Sequence, residues 1–136
     1  MTNKQYNNLT DNGKRIFIAE LCGDKRWEEV DKMLQELPEE KATLGLFAEL
    51  LQKQKEFLAT TPNYLTDLNA CYEFEEKLQS NSLKMTYYIY LHRIVNNDHG
   101  VWDLPTTDKQ FNNAHATPRQ RCKAFALTMS NREEIK

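Results

Sequence analysis

A chain of 136 residues, 40% hydrophobic and 28% charged, is long enough to bury one core without a metal or disulfide staple, so a single domain over 1–136 is expected. Only four glycines and four prolines interrupt it, which favours long helices over a many-stranded sheet. No stretch approaches the roughly 18–20 apolar residues of a membrane span, and the net charge of −2 lacks the basic excess of a general nucleic-acid binder, so neither a membrane nor a nucleic-acid partner is expected.

The charge is unevenly spread. Residues 1–68 carry nine Lys/Arg against twelve Asp/Glu, whereas residues 109–136 carry six against two. Cys22, Cys71 and Cys122 are odd in number and form no C-x-x-C pair, and the opening MTNKQYNNLT has no apolar leader. Both features predict a reduced, cytoplasmic protein.

In chain order, Asp11 precedes KRIFIAELC, which ends at Gly23, a good residue for the turn after a helix; Asp24 can then cap KRWEEVDKMLQEL, which stops before Pro38. In that second helix Trp27, Val30, Leu34 and Leu37 recur at spacings of three and four, a clear apolar stripe. The run EEKATLGLFAELLQKQKEFLA over 39–59 has two stripes, Leu44, Phe47, Leu51 and Leu58 on one and Leu46, Leu50 and Phe57 on the other. Such a helix is expected at the centre of the fold, or with its second stripe against another copy of the chain.

After the turn TTPNYLTD, Thr66 or Asp67 can cap LNACYEFEEKLQ, with Leu68, Cys71, Phe74 and Leu78 inward. SLKMTYYIYLHRIV suits either a helix with Leu83, Tyr87, Tyr90, Leu91 and Ile94 on one stripe or a strand with Met85, Tyr87, Ile89 and Leu91 on one face. Its length and a cap at Ser82 favour the helix. One helix face cannot bury Tyr87, Tyr88 and Tyr90 together, so Tyr88 is expected at a boundary or an interface. Residues 96–114 read as a long polar loop, whose Trp102 and Phe111 either pin it to the core or stand out as interface anchors. A last helix starts at Pro118 and buries Cys122, Phe125, Ala126 and Met129. The fold class expected is mostly α, one compact domain of five or six helices, with α+β built on a short sheet between helices as the alternative.

The start of that last helix, HATPRQRCKAF at 115–125, is chemically odd. Thr117 can cap, Pro118 suits the first helical position, and Gln120 sits where a capping-box partner belongs. Arg119, Arg121 and Lys123 follow at the end where the helix dipole favours negative charge. Either Arg119 pairs with an acid such as Glu73 or Glu76 while Arg121 and Lys123 face solvent, or the cations and the first N–H groups receive an anion. Other constellations are poorer. Cys22, Cys71, Cys122, His92, His99 and His115 show no metal-ligand spacing, so no metal and no cofactor is expected. A Cys122–His115 nucleophile pair has no acid placed to orient it, and Asp98, His99 and Asp103 suit turn chemistry. No Gly-rich phosphate loop or His-Glu-x-x-His pattern is present, so no catalytic residue is assigned and no enzyme is expected.

Three stretches, IAELCG at 18–23, PNYLTDLNACYEFEEKL at 62–78 and HATPRQRCKAFALTM at 115–129, resemble the phage alpha-beta-alpha sandwich domain, a family of small proteins of tailed phages and prophages. The resemblance implies a phage origin and a sheet between helices, although residues 25–60 read as helices where the family has an extended Trp- and Pro-containing segment. It brings no active site. The function expected is a non-catalytic phage-encoded accessory protein that binds and blocks a host protein, for example as an anti-defence inhibitor of the anti-CRISPR type. The alternatives are a sponge for a nucleotide-like anionic signal, and a structural or DNA-associated phage protein. Arg119, Arg121, Lys123, Trp102, Tyr88 and Phe111 are the expected binding residues; a host protein, an anionic small molecule or a second copy of the chain are the expected partners.

Overall fold

The computed structural model describes residues 1–38, 43–97 and 107–131. Among them lie eight helices and no strand: α1 (Asn3–Asn7), α2 (Asp11–Leu21), α3 (Glu28–Glu36), α4 (Leu44–Ala59), α5 (Leu68–Glu75), α6 (Asn81–Asn96), α7 (Thr107–Ala114) and α8 (Pro118–Ser130). The mostly helical class stands. The count exceeds five or six because two short helices, α1 and α7, occupy stretches without a long apolar stripe. Thr2 and Gln5 close a capping box on α1, and α7 fills the second half of the stretch expected to be a loop over 96–114. Residues 98–106 of that stretch, with Trp102, Asp98, His99 and Asp103, lie outside the described residues. The ambiguous segment after Gln79 is the helix α6, capped by Ser80 rather than Ser82.

The centre of the fold is α8. Its sequence PRQRCKAFALTMS sets small residues, Ala124, Ala126 and Thr128, among Cys122, Phe125 and Met129, and each of these six is buried. Small side chains let neighbours approach from several directions, and α8 packs against α1, α2, α5 and α6. Phe125, wholly buried, stacks on Phe74 of α5 with ring centroids 4.5 Å apart. A side chain of that size contributes about 1.5–3 kcal/mol through burial alone.

The expectation that 39–59 forms the central helix is corrected. In α4 only Phe57 is buried, while Leu44, Phe47 and Leu51 are 89%, 60% and 51% exposed. The stripe through Phe57 meets Trp27 edge to face at 5.6 Å; of the other stripe Leu44, Phe47 and Leu51 face outward and Leu58 packs against the core. Bulky leucines and two phenylalanines on the two stripes keep neighbours at a distance, whereas the alanines of α8 admit them closely, so α8 takes the central place.

Local chemistry sets the remaining boundaries. Gly23, at φ +98°, ends α2 in a left-handed conformation that strains other residues. Thr10, not Asp11, caps α2. Asp24 does not cap α3; its carboxylate accepts from the backbone N–H of Arg26 at 3.0 Å and ion-pairs with the Arg26 guanidinium. Asp67 caps α5, whose Cys71 and Phe74, with Leu78 just beyond, are buried as expected; Leu68 stays exposed. Among the described residues no helix is long and apolar enough to cross a membrane.

Candidate functional site: a cationic groove

At the start of α8, Thr117 Oγ1 accepts from the Gln120 N–H at 3.2 Å and Gln120 Oε1 accepts from the Thr117 N–H at 2.9 Å, with Pro118 in the first turn. With the helix start fixed, the step of about 100° per residue separates the three cations: residues four apart share a face, and the residue between them points to the other side. Arg119 and Lys123 therefore face one way and Arg121 the other.

Arg121 is internal. It is 7% exposed, its Nη1 lies 3.1 Å from Glu75 Oε1, and its Nε and Nη2 donate to the carbonyls of Ala116 and Ala114, each at 3.1 Å. It thus ties α5 to the turn between α7 and α8. This corrects the expectation that Arg121 faces solvent or an external anion. Arg119 pairs with Asp11 of α2, at 3.0 and 2.9 Å, and not with Glu73 or Glu76. The Arg119 guanidinium holds the Asp11 carboxyl below its usual range. Both partners are exposed, so the pair is screened by solvent.

Lys123 differs from both. It is half-buried, and among the described residues no acid pairs with it. Burial, and then the Lys14 ammonium, push its pKa down, because each disfavours the charged form. Lys123 and Ile94 line two adjoining lobes of a groove between α1, α2, α6 and α8. The wider lobe, about 260 Å³, adds Asn3, Tyr90, Arg93, Asn97 and Leu127. The narrower, about 180 Å³, adds Tyr6, Asn7, Lys14, Leu65, Arg119 and Gln120.

Helical spacing builds these walls: Tyr90, Arg93, Ile94 and Asn97 follow one face of α6 into its left-handed C-cap, and Arg119, Gln120, Lys123 and Leu127 follow one face of α8. Four cations, Lys14, Arg93, Arg119 and Lys123, border the groove, of which Arg119 is already paired with Asp11, a carboxylate that Lys14 also acts on. Lys14 also sits 5.2 Å from the centre of the Tyr6 ring. Tyr6 is 2% exposed, and its hydroxyl finds no hydrogen-bond partner among the described residues. Burial pushes that hydroxyl's pKa well up, so it is a neutral donor.

Of the other expected binding residues, Tyr88 and Phe111 lie on the α6–α7 side, away from the groove lining. Tyr88 is half-buried and its hydroxyl accepts from Asn113 Nδ2 at 3.3 Å. Phe111 is 62% exposed and stacks on His115 at 4.0 Å between ring centres. Sequence reasoning missed Lys14 and Arg93; Arg93 shares a helical face with Tyr90 and Ile94, a signal that was there to read, but nothing in the chain links Lys14 to α8.

The arrangement suits holding an anion. Cys122 is wholly buried and its thiol donates to the Tyr64 carbonyl at 3.1 Å, the acceptor that the Cys71 thiol also uses at 3.2 Å. The contact with Cys71 and burial both push the Cys122 thiol pKa up, away from a reactive thiolate. All three cysteines are free thiols. Among the described residues no three His, Cys, Asp or Glu side chains gather where they could hold a metal ion. No protein-family model matches this chain, and no curated protein and no solved structure matches it, so the chemistry of the groove stands on its own geometry.

Proposed function

We propose that this chain is a non-catalytic binding protein that sequesters an anionic ligand in the groove between α1, α2, α6 and α8. The observation that carries the reading is Lys123, a half-buried ammonium beside Lys14 with no described acid to offset it. Desolvating a cation next to another cation is unfavourable, and a bound anion offsets both contributions through its own attraction to the two ammonium groups. Hydrogen bonds between charged groups contribute about 1.5–3 kcal/mol each. The resemblance to phage proteins supports a setting in the cytoplasm of an infected cell, where sequestering a phosphorylated signal would blunt a host response. Calorimetry with inorganic pyrophosphate tests the reading: the wild-type chain should bind it and Lys123→Gln should weaken binding by tenfold or more. Equal binding by both proteins would show that the groove is not the site.

A second reading, a blocker of a host protein such as a defence nuclease, is favoured by a different surface. Leu44, Phe47 and Leu51 form an exposed apolar stripe on α4, and such stripes commonly mark protein contacts. Under this reading Phe47→Glu abolishes inhibition of the host activity while Lys123→Gln leaves it intact; under the first reading the two variants exchange phenotypes.

A further inference from the structure

We infer that the ligand of the groove is a nucleotide, with its phosphates in the narrower lobe and its base in the wider one. The inference rests on the anion-binding reading and adds the identity of the ligand's other end. The two lobes are chemically unequal. Lys14, Arg119 and Lys123 line the narrower lobe, Arg119 with its guanidinium already held by Asp11. A simple inorganic anion would be satisfied there and would leave the wider lobe empty of purpose.

The wider lobe is walled by the Tyr90 ring, Ile94 and Leu127, with Asn3 and Arg93 at its edges. The Tyr90 hydroxyl accepts from Asn131 Nδ2 at 3.4 Å, which tethers the ring to the C-cap of α8. Aromatic and aliphatic walls suit a flat apolar body, and the Asn3 amide and Arg93 guanidinium offer hydrogen bonds to the edge of a heterocycle. Lys123 belongs to both lobes, where the charged and the planar halves of one ligand would join. The cavities, about 260 and 180 Å³, are each smaller than the usual small-molecule site of about 300–1,000 Å³ and share Ile94 and Lys123 as walls, so a ligand of nucleotide size would have to reach across Lys123 into both. Stacking of a base on an aromatic ring corresponds to about tenfold to a hundredfold in affinity.

Calorimetry of the wild-type chain with ADP, GDP, CDP, UDP, ribose 5-phosphate and inorganic pyrophosphate decides the matter without a variant. At least one nucleoside diphosphate is expected to bind tenfold or more tighter than pyrophosphate and ribose 5-phosphate. Tyr90→Leu, checked for folding by circular dichroism, should bring that nucleotide down to the affinity of pyrophosphate and leave pyrophosphate itself unchanged. Lys123→Gln should weaken both. If no nucleotide outbinds pyrophosphate, or if a folded Tyr90→Leu keeps the preference, the nucleotide inference is overturned while the anion site stands. If none of the probes binds, both readings fall.

Discussion

Three cations two residues apart in one helix meet three fates, and the helical step decides which. Arg121 turns inward to Glu75, so Arg121→Ala leaves a carboxylate without its partner and is expected to cost about 2–4 kcal/mol in urea unfolding. Arg119→Gln removes an exposed, screened pair and should leave the melting temperature within measurement error. Lys123→Gln is expected to raise the melting temperature slightly, because the folded state disfavours the ammonium, while losing the ligand. Gain of stability with loss of binding is the signature of a residue kept for function, and a destabilised Lys123→Gln would argue that the side chain is structural. What the sequence made legible here was local. The capping box of Thr117 and Gln120 is an i, i+3 pattern, and the burial of Cys122, Phe125, Ala126 and Met129 follows from spacing along one helix. The partners of Arg119 and Arg121 lie 108 and 46 residues away, and only the packing of α2 and α5 against α8 selects Asp11 and Glu75.

At the scale of elements, the same contrast sets α4 at the periphery. Its two stripes are legible in the sequence, but a pattern does not say which stripe is covered, and α8, with its less obvious stripe, wins the centre through its small residues. Phe125→Ala should therefore destabilise by about 3–5 kcal/mol, whereas Leu51→Ala should stay within about 0.5 kcal/mol of wild type in the same denaturation experiment. The junction of α2 and α3 carries a titratable feature of its own. Burial, then the neighbouring carboxylates of Asp31, Glu28 and Asp24, push the Glu20 carboxyl up to about 7. A carboxyl with a folded pKa above its unfolded value binds its proton more tightly in the folded state. Its contribution is thus fully present below about pH 4.5, the unfolded value, and is lost as pH rises to about 7. Glu20→Gln should stabilise the protein at pH 8 and remove this component between pH 5 and 7.5. The gain should be below about 1 kcal/mol, because the site is largely solvent-screened. Equal pH profiles for the variant and the wild type would mean that neither burial nor the acidic neighbours act on Glu20.

For the whole molecule, the consequence of building on α8 is an uneven distribution of stability. α8 packs against α1, α2, α5 and α6, and its run from Arg121 to Met129, buried at every position but Lys123, can expose its amides only when those neighbours separate. The ties described for α4 gather at its C-terminal end. Phe57 meets Trp27 and lies under the Arg26 guanidinium at 4.5 Å, and Arg15 donates to the Leu58 and Thr61 carbonyls at 3.1 and 2.9 Å. The N-terminal half, from Leu44 to Leu51, has an exposed apolar stripe and few described tertiary ties, so opening it separates little buried surface. Hydrogen exchange followed by mass spectrometry should show Phe125–Met129 protected to the limit of global unfolding, about 5–15 kcal/mol for a domain of this kind. Amides of Phe47–Leu51 should exchange through local opening, several orders of magnitude faster. Equal protection of the two segments at low protein concentration would place α4 in the same cooperative unit as α8. Protection of Phe47–Leu51 that grows with protein concentration would instead mean that a second copy covers the stripe, the arrangement its two apolar faces first suggested.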